Sequence, residues 1–367
     1  MAKKMKCLVL LLVALLLLSA CTAGSQTRDM EQTRMITDVW GREVEVPLDV
    51  ETIITLGPGA TRIAVYLDVT EKIIAAEEQT ANENILMDFN PIVHERFRDL
   101  PIVGRGGGSG ENNAYPEEII LLAPDVILAA FSPEAAEELQ AQTGIPVFAV
   151  RYISTGLANE TFFAAVRVFA ETVQVTARAE ELLSKIEAFR ADLAGRTADV
   201  PPEERLRAYA GAITFSGQRG FGGTYSDFGP LTAIGAWNVA DKALEAGFYE
   251  VDFEQIIAWD PDVIFLDPGN MHLVNAEYAA NPTFFHALRA VEAGRVYTLP
   301  AFNFSATNVT YALINAYFAG TILFPEQFAD VNLAEKAEEI LVFFLGTNTF
   351  SLMEAGGLFY GNISLGE

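Results

Sequence analysis

The sequence has few of the residues that enzymes and metal sites use. Its 367 residues include only two cysteines and three histidines, and 24 lysine and arginine residues stand against 49 aspartate and glutamate residues. The cysteines, Cys7 and Cys21, both lie near the N-terminus. We therefore expect no disulfide, no thiolate metal site and no catalytic thiol in the folded part. The net charge of −25 argues against binding to nucleic acid or to anionic lipid surfaces.

The remaining catalytic and cofactor patterns are also missing. His94, His272 and His286 have no metal-ligand spacing, and no Gly-x-Ser-x-Gly segment is present. The glycine-rich segment at residues 104–113 suggests a phosphate-binding loop, but it lacks the Lys-Ser/Thr pair that completes one. The sequence therefore predicts a protein that is not an enzyme, has no cofactor or resident metal and binds no nucleotide.

The first 20 residues have the pattern of a secretory signal peptide. Three lysines precede an apolar run over residues 8–18, which is shorter than the roughly 20 residues that a membrane-spanning helix needs. The run ends in Leu-Ser-Ala-Cys, which resembles a bacterial lipobox with Cys21 as the lipidated residue. We expect residues 21–35 to be a lipidated tether that holds the protein outside the cytoplasm, in the periplasm or at the cell surface.

One stretch of sequence occurs twice. Residues 117–128 read EEIILLAPDVIL and residues 254–265 read EQIIAWDPDVIF, with Pro124 and Pro261 aligned at an offset of 137 positions (261 − 124). Each copy predicts a short helix that ends before its proline, because proline cannot continue a helix. The apolar run that follows is typical of a parallel strand covered on both faces. Two such units predict two similar α/β lobes with a ligand cleft between them.

The rest of the pattern fits an α/β fold of two Rossmann-like lobes joined by a single long helix. We expect an N-terminal lobe over residues 36–174 and a C-terminal lobe with closing helices over residues 205–345. Residues 175–204 form the inter-lobe helix and linker, and residues 346–367 form an apolar tail with no pattern that predicts its structure. A helical connection between lobes implies a stiff protein with little hinge closure.

The order of these features is similar to that of one family. The lipobox, the segment ITDVWGREVEVP at residues 36–47, the two repeat units, the long helix and a final Gly-Arg-Val-Tyr strand at 294–297 carry the similarity. Together they resemble the substrate-binding lipoproteins of ATP-driven importers for iron–siderophore, haem, cobalamin and related metal complexes. The resemblance covers about residues 36–345, and the segment 303–345 is similar to a subgroup that includes molybdate and tungstate binders.

The resemblance implies a function without chemistry. A monomeric receptor captures a metal chelate between its lobes and delivers it to a membrane permease with its ATPase. A molybdate-like oxyanion is the alternative ligand, and a sensor lipoprotein or a secreted hydrolase are remote alternatives. The resemblance also implies that one glutamate per lobe docks on permease arginines, and the matching positions are Glu117 and Glu254. An acidic residue early in a helix also simply stabilises that helix, which is the plainer interpretation.

Ligands of open α/β lobes lie beyond the C-terminal ends of the strands. This rule selects five loops, at residues 57–61, 104–115, 151–154, 216–225 and 300–305. Arg105, Arg151 and Arg219 lie in these loops, and we expect them to clamp an oxyanion or a carboxylate-bearing chelate. Salt bridges on an acidic surface are the alternative role for each arginine.

The same loops contain aromatic and polar candidates. Tyr115, Tyr225, Phe302 and Phe304 are candidates for stacking on a planar ligand, with core packing as the alternative. Thr61 and Asn303 are predicted to form hydrogen bonds to the ligand. The glycine-rich turn over residues 57–61 leads from a strand into a helix, so we also expect it to direct free N–H groups at the ligand.

Overall fold

The structure, a computed structural model, describes residues 32–107, 112–152, 156–215, 217–241 and 243–366. The predicted signal peptide, Cys21 and nearly all of the tether lie outside these ranges. Within them, no helix combines the length and hydropathy that crossing a bilayer requires.

Eleven strands and fifteen α-helices occur in the described ranges. The strands are β1 Thr33–Thr37, β2 Glu43–Pro47, β3 Ile53–Leu56, β4 Val126–Ala129, β5 Val147–Ala149, β6 Arg207–Gly211, β7 Gly223–Ser226, β8 Trp237–Asn238, β9 Gly247–Glu250, β10 Val263–Leu266 and β11 Val296–Thr298. The helices are α1 Ala60–Tyr66, α2 Glu78–Ala81, α3 Asn90–Phe97, α4 Pro116–Leu122, α5 Pro133–Thr143, α6 Glu160–Val173, α7 Thr176–Thr197, α8 Gly229–Ala233, α9 Phe253–Trp259, α10 Met271–Ala280, α11 Pro282–His286, α12 Arg289–Glu292, α13 Val309–Leu323, α14 Leu333–Leu345 and α15 Phe350–Ala355.

The N-terminal lobe is built on a parallel sheet with the order β3-β4-β5. Every residue of these three strands is buried, as expected for a sheet covered on both faces. Residues 73–76 and 100–104 add only single parallel bridges, Ile53 with Ile73 and Ala76 with Ile102. Strands β1 and β2 form an antiparallel hairpin.

The C-terminal lobe has a parallel sheet with the order β11-β10-β6-β8 and a separate antiparallel pair, β7–β9. Strand β6 ends at Gly211, because Ala212 takes a left-handed conformation with φ of 54°. The tail adds α15 and returns to the sheet edge, where the Thr298 N–H donates to the carbonyl of Gly361 over 2.9 Å. These two parallel sheets confirm the predicted fold class.

The repeated stretch has the same structure in both lobes. The residue before each proline takes a left-handed conformation, with φ of 46° and 39°, and a buried strand follows. The next aspartate then binds the start of the neighbouring strand. Asp125 Oδ2 accepts from the N–H groups of Glu51 and Thr52, both over 2.8 Å, and Asp262 Oδ2 accepts from the N–H of Arg207 over 2.9 Å. The aspartate therefore aligns the two strands in each lobe.

Helix α7 joins the lobes, and its apolar stripe is buried. A single apolar core contains residues of both lobes, from Ile36 to Leu358. The closing helix α14 reaches the N-terminal lobe, where the rings of Phe344 and Tyr66 lie 5.0 Å apart. This shared core supports the prediction of a stiff protein.

Candidate functional site

A cavity of about 400 Å³ lies between the lobes. Its walls come from the loops that follow the C-terminal ends of β3, β6, β10 and β11, together with residues near α2. This is where an open α/β fold binds its ligand. Asp267 is the single charged side chain among the described residues that line the cavity, and Phe304 is the single aromatic one.

Asp267 follows β10 directly and is buried, with 2% exposure. The Thr214 hydroxyl donates to its Oδ2 over 2.5 Å, and the Gly269 N–H donates to its Oδ1 over 3.0 Å. Burial raises the pKa of the Asp267 carboxyl above its ordinary value, while these hydrogen bonds oppose the rise. The two hydrogen bonds hold the carboxyl group of Asp267 in a fixed position in the cavity wall.

Asn270 lies beside this carboxylate with 1% exposure. Its Nδ2 donates to the carbonyl of Ala212 over 2.7 Å and to Thr214 Oγ1 over 3.0 Å. These acceptors determine which end of the amide is the nitrogen. The Oδ1 atom is buried and has no hydrogen-bond partner among the described residues. A buried acceptor without a donor is costly, so this atom marks a place for a ligand.

The loop after β11 forms the next wall. Asn303 pairs with Thr307 in an antiparallel bridge, and between them Ser305 and Ala306 have positive φ angles of 50° and 65°. Residues other than glycine rarely adopt positive φ angles. Arg62 holds the turn from behind, because its guanidinium donates to the carbonyls of Phe304 over 3.2 Å and Ser305 over 2.8 Å.

Arg62 is fully buried and is paired with Asp88, with 2.8 Å between Nε and Oδ1. Burial alone would lower the pKa of the guanidinium, but Tyr152 and Asp88 raise it, so Arg62 is always charged. Its Nη1 also donates to the Tyr152 hydroxyl over 3.1 Å. Gly59 is required here, since a Cβ at this position would lie 2.6 Å from that hydroxyl oxygen.

A second buried carboxylate lies behind the glycine-rich turn of the N-terminal lobe. Glu77 has 3% exposure, and its Oε1 accepts from the Gly57 N–H over 2.9 Å. Burial raises the pKa of Glu77 to about 7, against the lowering effect of that hydrogen bond. The prediction that this turn directs free N–H groups at a ligand is therefore wrong for Gly57, because Glu77 takes its N–H.

Of the nine candidates for ligand contacts, the structure brings two, Asn303 and Phe304, into the cavity wall. Thr61 is buried inside the N-terminal lobe, with its hydroxyl 2.9 Å from that of Thr55. Phe302 is buried against Phe228, with ring centroids 5.3 Å apart. Local packing, rather than the ligand cavity, satisfies these two side chains.

The three predicted arginines do not form a clamp. Arg105 is exposed and Arg151 is half-buried, and neither lines the cavity. Arg219 is half-buried, and its Nε donates to the carbonyl of Phe215 over 3.1 Å. Its guanidinium lies 5.2 Å from the ring centre of Phe248. The side chain of Arg219 is thus held by Phe215 and Phe248 and lies outside the cavity wall.

The two predicted tyrosines also lie away from the cavity wall. Tyr115 donates its hydroxyl to Glu78 Oε1 over 3.1 Å. Tyr225 is buried in β7, with its ring 6.0 Å from that of Phe215. Both therefore have roles within the protein.

Glu117 and Glu254 are exposed in the first turns of α4 and α9. Their side chains are accessible to a partner, and their role in docking stays a prediction.

Sequence reasoning missed Arg62, Asp267 and Asn270. The rule that ligands lie beyond strand ends would have selected Asp267, because it follows the strand of the second repeat. Arg62 directly follows Thr61, but nothing in the sequence distinguishes a buried arginine from an exposed one. Within the described ranges, no group of three or more histidine, cysteine, aspartate and glutamate residues could hold a metal ion. The polar groups that line the cavity can form hydrogen bonds to a ligand.

Known proteins share this architecture. The family of periplasmic binding proteins matches residues 53–302. The molybdate-binding protein MolA of Haemophilus influenzae is 24% identical over 347 residues, which cover 86% of this chain and 92% of that protein.

Solved structures agree on the fold. A periplasmic solute binding protein from Veillonella parvula aligns with a TM-score of 0.66 and 20% identity, covering 89% of this chain and 97% of that one. The molybdate-bound structure of Haemophilus influenzae MolA aligns with a TM-score of 0.64 and 21% identity, covering 86% and 98%. The predicted resemblance is thus confirmed at the level of the family, whose members are solute-binding proteins of transporters. Since the family match spans more than half of the sequence, this chain belongs to the periplasmic binding protein family.

Proposed function

We propose that the protein is the solute receptor of an ATP-driven importer, and that its cavity takes a small oxyanion of the molybdate or tungstate class. The observation that carries the ligand class is the cavity, with a volume of about 400 Å³ and one aromatic ring, Phe304, among its described lining residues. Pockets for drug-sized ligands span roughly 300–1,000 Å³, and this volume lies near the lower end of that range. The protein would be held at the membrane by lipid on Cys21.

The lining chemistry supports the same choice. A haem or corrinoid needs a broad surface with aromatic contacts, and Tyr115, Tyr225 and Phe302 lie outside the cavity wall. Polar side chains such as Asn270 and Asn303 and the backbone of the loop after β11 line it instead. The relative named for molybdate binding favours an oxyanion as well. The sequence alone ranked a metal chelate first, and the cavity favours its alternative.

A metal chelate is a second candidate because of one aromatic surface. Phe215 is 39% exposed and stacks on Phe248, with ring centroids 4.7 Å apart and ring planes 11° apart. Phe215 is next in sequence to Thr214 of the cavity wall. A ligand larger than the cavity would extend from it onto these rings.

A binding screen of the protein without its signal peptide tests the proposal. Molybdate and tungstate are compared with ferric siderophores, haem and cobalamin in thermal-shift and calorimetric titrations. A ligand that binds only the folded state stabilises it by roughly 2.7 kcal/mol at a hundredfold excess over Kd. We expect this stabilisation with the oxyanions. Stabilisation by an organic chelate alone would instead establish the second candidate.

A further inference from the structure

We propose that the backbone N–H groups of Ser305 and Ala306 bind the oxygen atoms of the ligand, and that Arg62 is the positioning residue that aims them. This inference rests on the proposed function, since it assigns the atoms by which the cavity recognises an oxyanion. Four observations support this inference.

The first is the direction of the peptide groups. In a trans peptide the C=O and the following N–H point to opposite sides. Arg62 binds the carbonyl oxygens of Phe304 and Ser305, so the N–H groups of Ser305 and Ala306 both point away from Arg62. Both residues line the cavity. The two donors are therefore directed at the space where a ligand would lie.

The second is the conformation of the turn. Ser305 and Ala306 both have positive φ, which L-residues rarely adopt. Successive N–H groups turned to one side in this way form a concave site for anions. The bridge between Asn303 and Thr307 closes the turn, and Arg62 holds it. An unfavourable backbone conformation that its surroundings enforce is characteristic of binding sites.

The third is the placement of the positive charge. The side chain of Arg62 has no exposure and is paired with Asp88, so it acts on the ligand through the two peptide groups between them. Hydrogen bonds to a charged donor polarise the peptides that accept them. The N–H groups on the far side become better donors as a result. The cavity therefore offers an anion polarised N–H donors, although no described lining side chain is cationic and the carboxyl of Asp267, whose pKa burial raises, also lines it.

The fourth is independent of the turn. Asn270 Oδ1 is a buried acceptor without a donor among the described residues, and Asn270 lines the same cavity. The other contacts of its amide prevent a reversed orientation. A donor from the ligand or from an ordered water would satisfy this atom. The ligand thus presents oxygen acceptors to Ser305 and Ala306, and either its own hydroxyl or a bound water donates to Asn270.

Two substitutions at one position test the turn in the full chain. Glycine adopts positive φ freely, whereas a β-branched residue strongly avoids it. We expect Ala306→Val to bind molybdate and tungstate at least about tenfold more weakly than Ala306→Gly does. Calorimetry measures both, with far-UV circular dichroism as the check on folding. If Ala306→Val does not fold, Ser305→Val and its control Ser305→Gly replace the pair.

The outcomes separate the two proposals. Equal affinities of the glycine and valine variants, with the unmodified protein binding oxyanion, would overturn the inference alone. Failure of the unmodified protein to bind either oxyanion would overturn the proposed ligand class, and the inference with it.

Asn270→Leu tests the acceptor with phosphate and sulfate in mildly acidic buffer, where phosphate alone carries a proton. Loss of a preference for phosphate supports the ligand's hydroxyl as donor, and equal weakening of both anions supports a bound water. An unchanged affinity overturns the role of Asn270.

Discussion

Arg62 and Asp88 form a fully buried ion pair where the N-terminal lobe meets the loop that leads into α13. Asn308 binds both partners, since its Oδ1 accepts from Arg62 Nη2 over 2.6 Å and from the Asp88 N–H over 2.9 Å. The other carboxylate oxygen of Asp88 accepts from the hydroxyls of Tyr66 and Thr310. A polar network therefore joins the lobes inside their shared apolar core, directly behind the ligand cavity.

Removing Arg62 is expected to destabilise the protein strongly. Arg62→Met leaves the Asp88 carboxylate buried without its counter-ion, which costs roughly 3–5 kcal/mol. Urea denaturation measures the free energy of unfolding. Arg190→Met is the matched control on the exposed face of α7, with an expected change within about 0.5 kcal/mol. A loss below about 1 kcal/mol for Arg62→Met would show that the pair is not the central element of this network.

The aspartates of the two repeat units should both contribute to stability. Asp125→Ala removes the acceptor of two backbone N–H groups, and Asp262→Ala removes that of Arg207. Each change leaves donors at a strand start without a partner, at a cost of roughly 1–3 kcal/mol. Asp99, which is exposed, provides the control substitution Asp99→Ala. Denaturation midpoints that match the control would refute the strand-aligning role.

Glu77 predicts a pH dependence of stability. Its pKa is about 7 in the folded protein against 4.5 for the ordinary group, so the folded state holds the proton more tightly than the unfolded state. Below pH 4.5 Glu77 is protonated in both the folded and the unfolded state, so it does not change the stability. As the pH rises from 4.5 to about 7, the unfolded state loses its proton first, and the free energy of unfolding decreases. The full loss is roughly 3 kcal/mol.

Glu77→Gln should remove this loss, because glutamine keeps an acceptor for the Gly57 N–H and carries no charge. We expect the variant to exceed the unmodified protein in stability at neutral and alkaline pH and to equal it in acid. Glu78→Gln, at the exposed neighbouring position, is the control for the general effect of charge. Melting temperatures measured across this pH range provide the test, and parallel curves for both variants would contradict the assignment.

Charge reversal should separate delivery from capture. We expect Glu117→Lys and Glu254→Lys together to abolish uptake through the cognate permease and to leave the Kd for the ligand unchanged, because both side chains are exposed on helices outside the cavity wall. Glu118→Lys changes an exposed residue of the same helix turn and serves as the control. Normal uptake by the double variant would place the docking surface elsewhere.

The fold could be predicted from the periodicity of apolar residues and from local motifs. The site could not, because it depends on side-chain orientations that these patterns do not determine. The repeat units, with Pro124 and Pro261, predicted two parallel sheets and the cleft between them. The rule about strand ends located the loop that contains Asn303. It could not predict that Arg219 turns toward Phe248 or that Arg62 turns inward, because tertiary contacts decide those orientations. The conformations of Ser305 and Ala306 also lay beyond prediction, since neither residue type favours positive φ.

The most direct test of the account is to locate the ligand. Crystals grown with tungstate would be measured by anomalous diffraction, which identifies the metal by its own signal. The account predicts one strong peak in the cavity, with tungstate oxygens within hydrogen-bond distance of the Ser305 and Ala306 nitrogens. A peak in the larger groove of about 740 Å³ beside α7, or at Arg105 or Arg219, would contradict it.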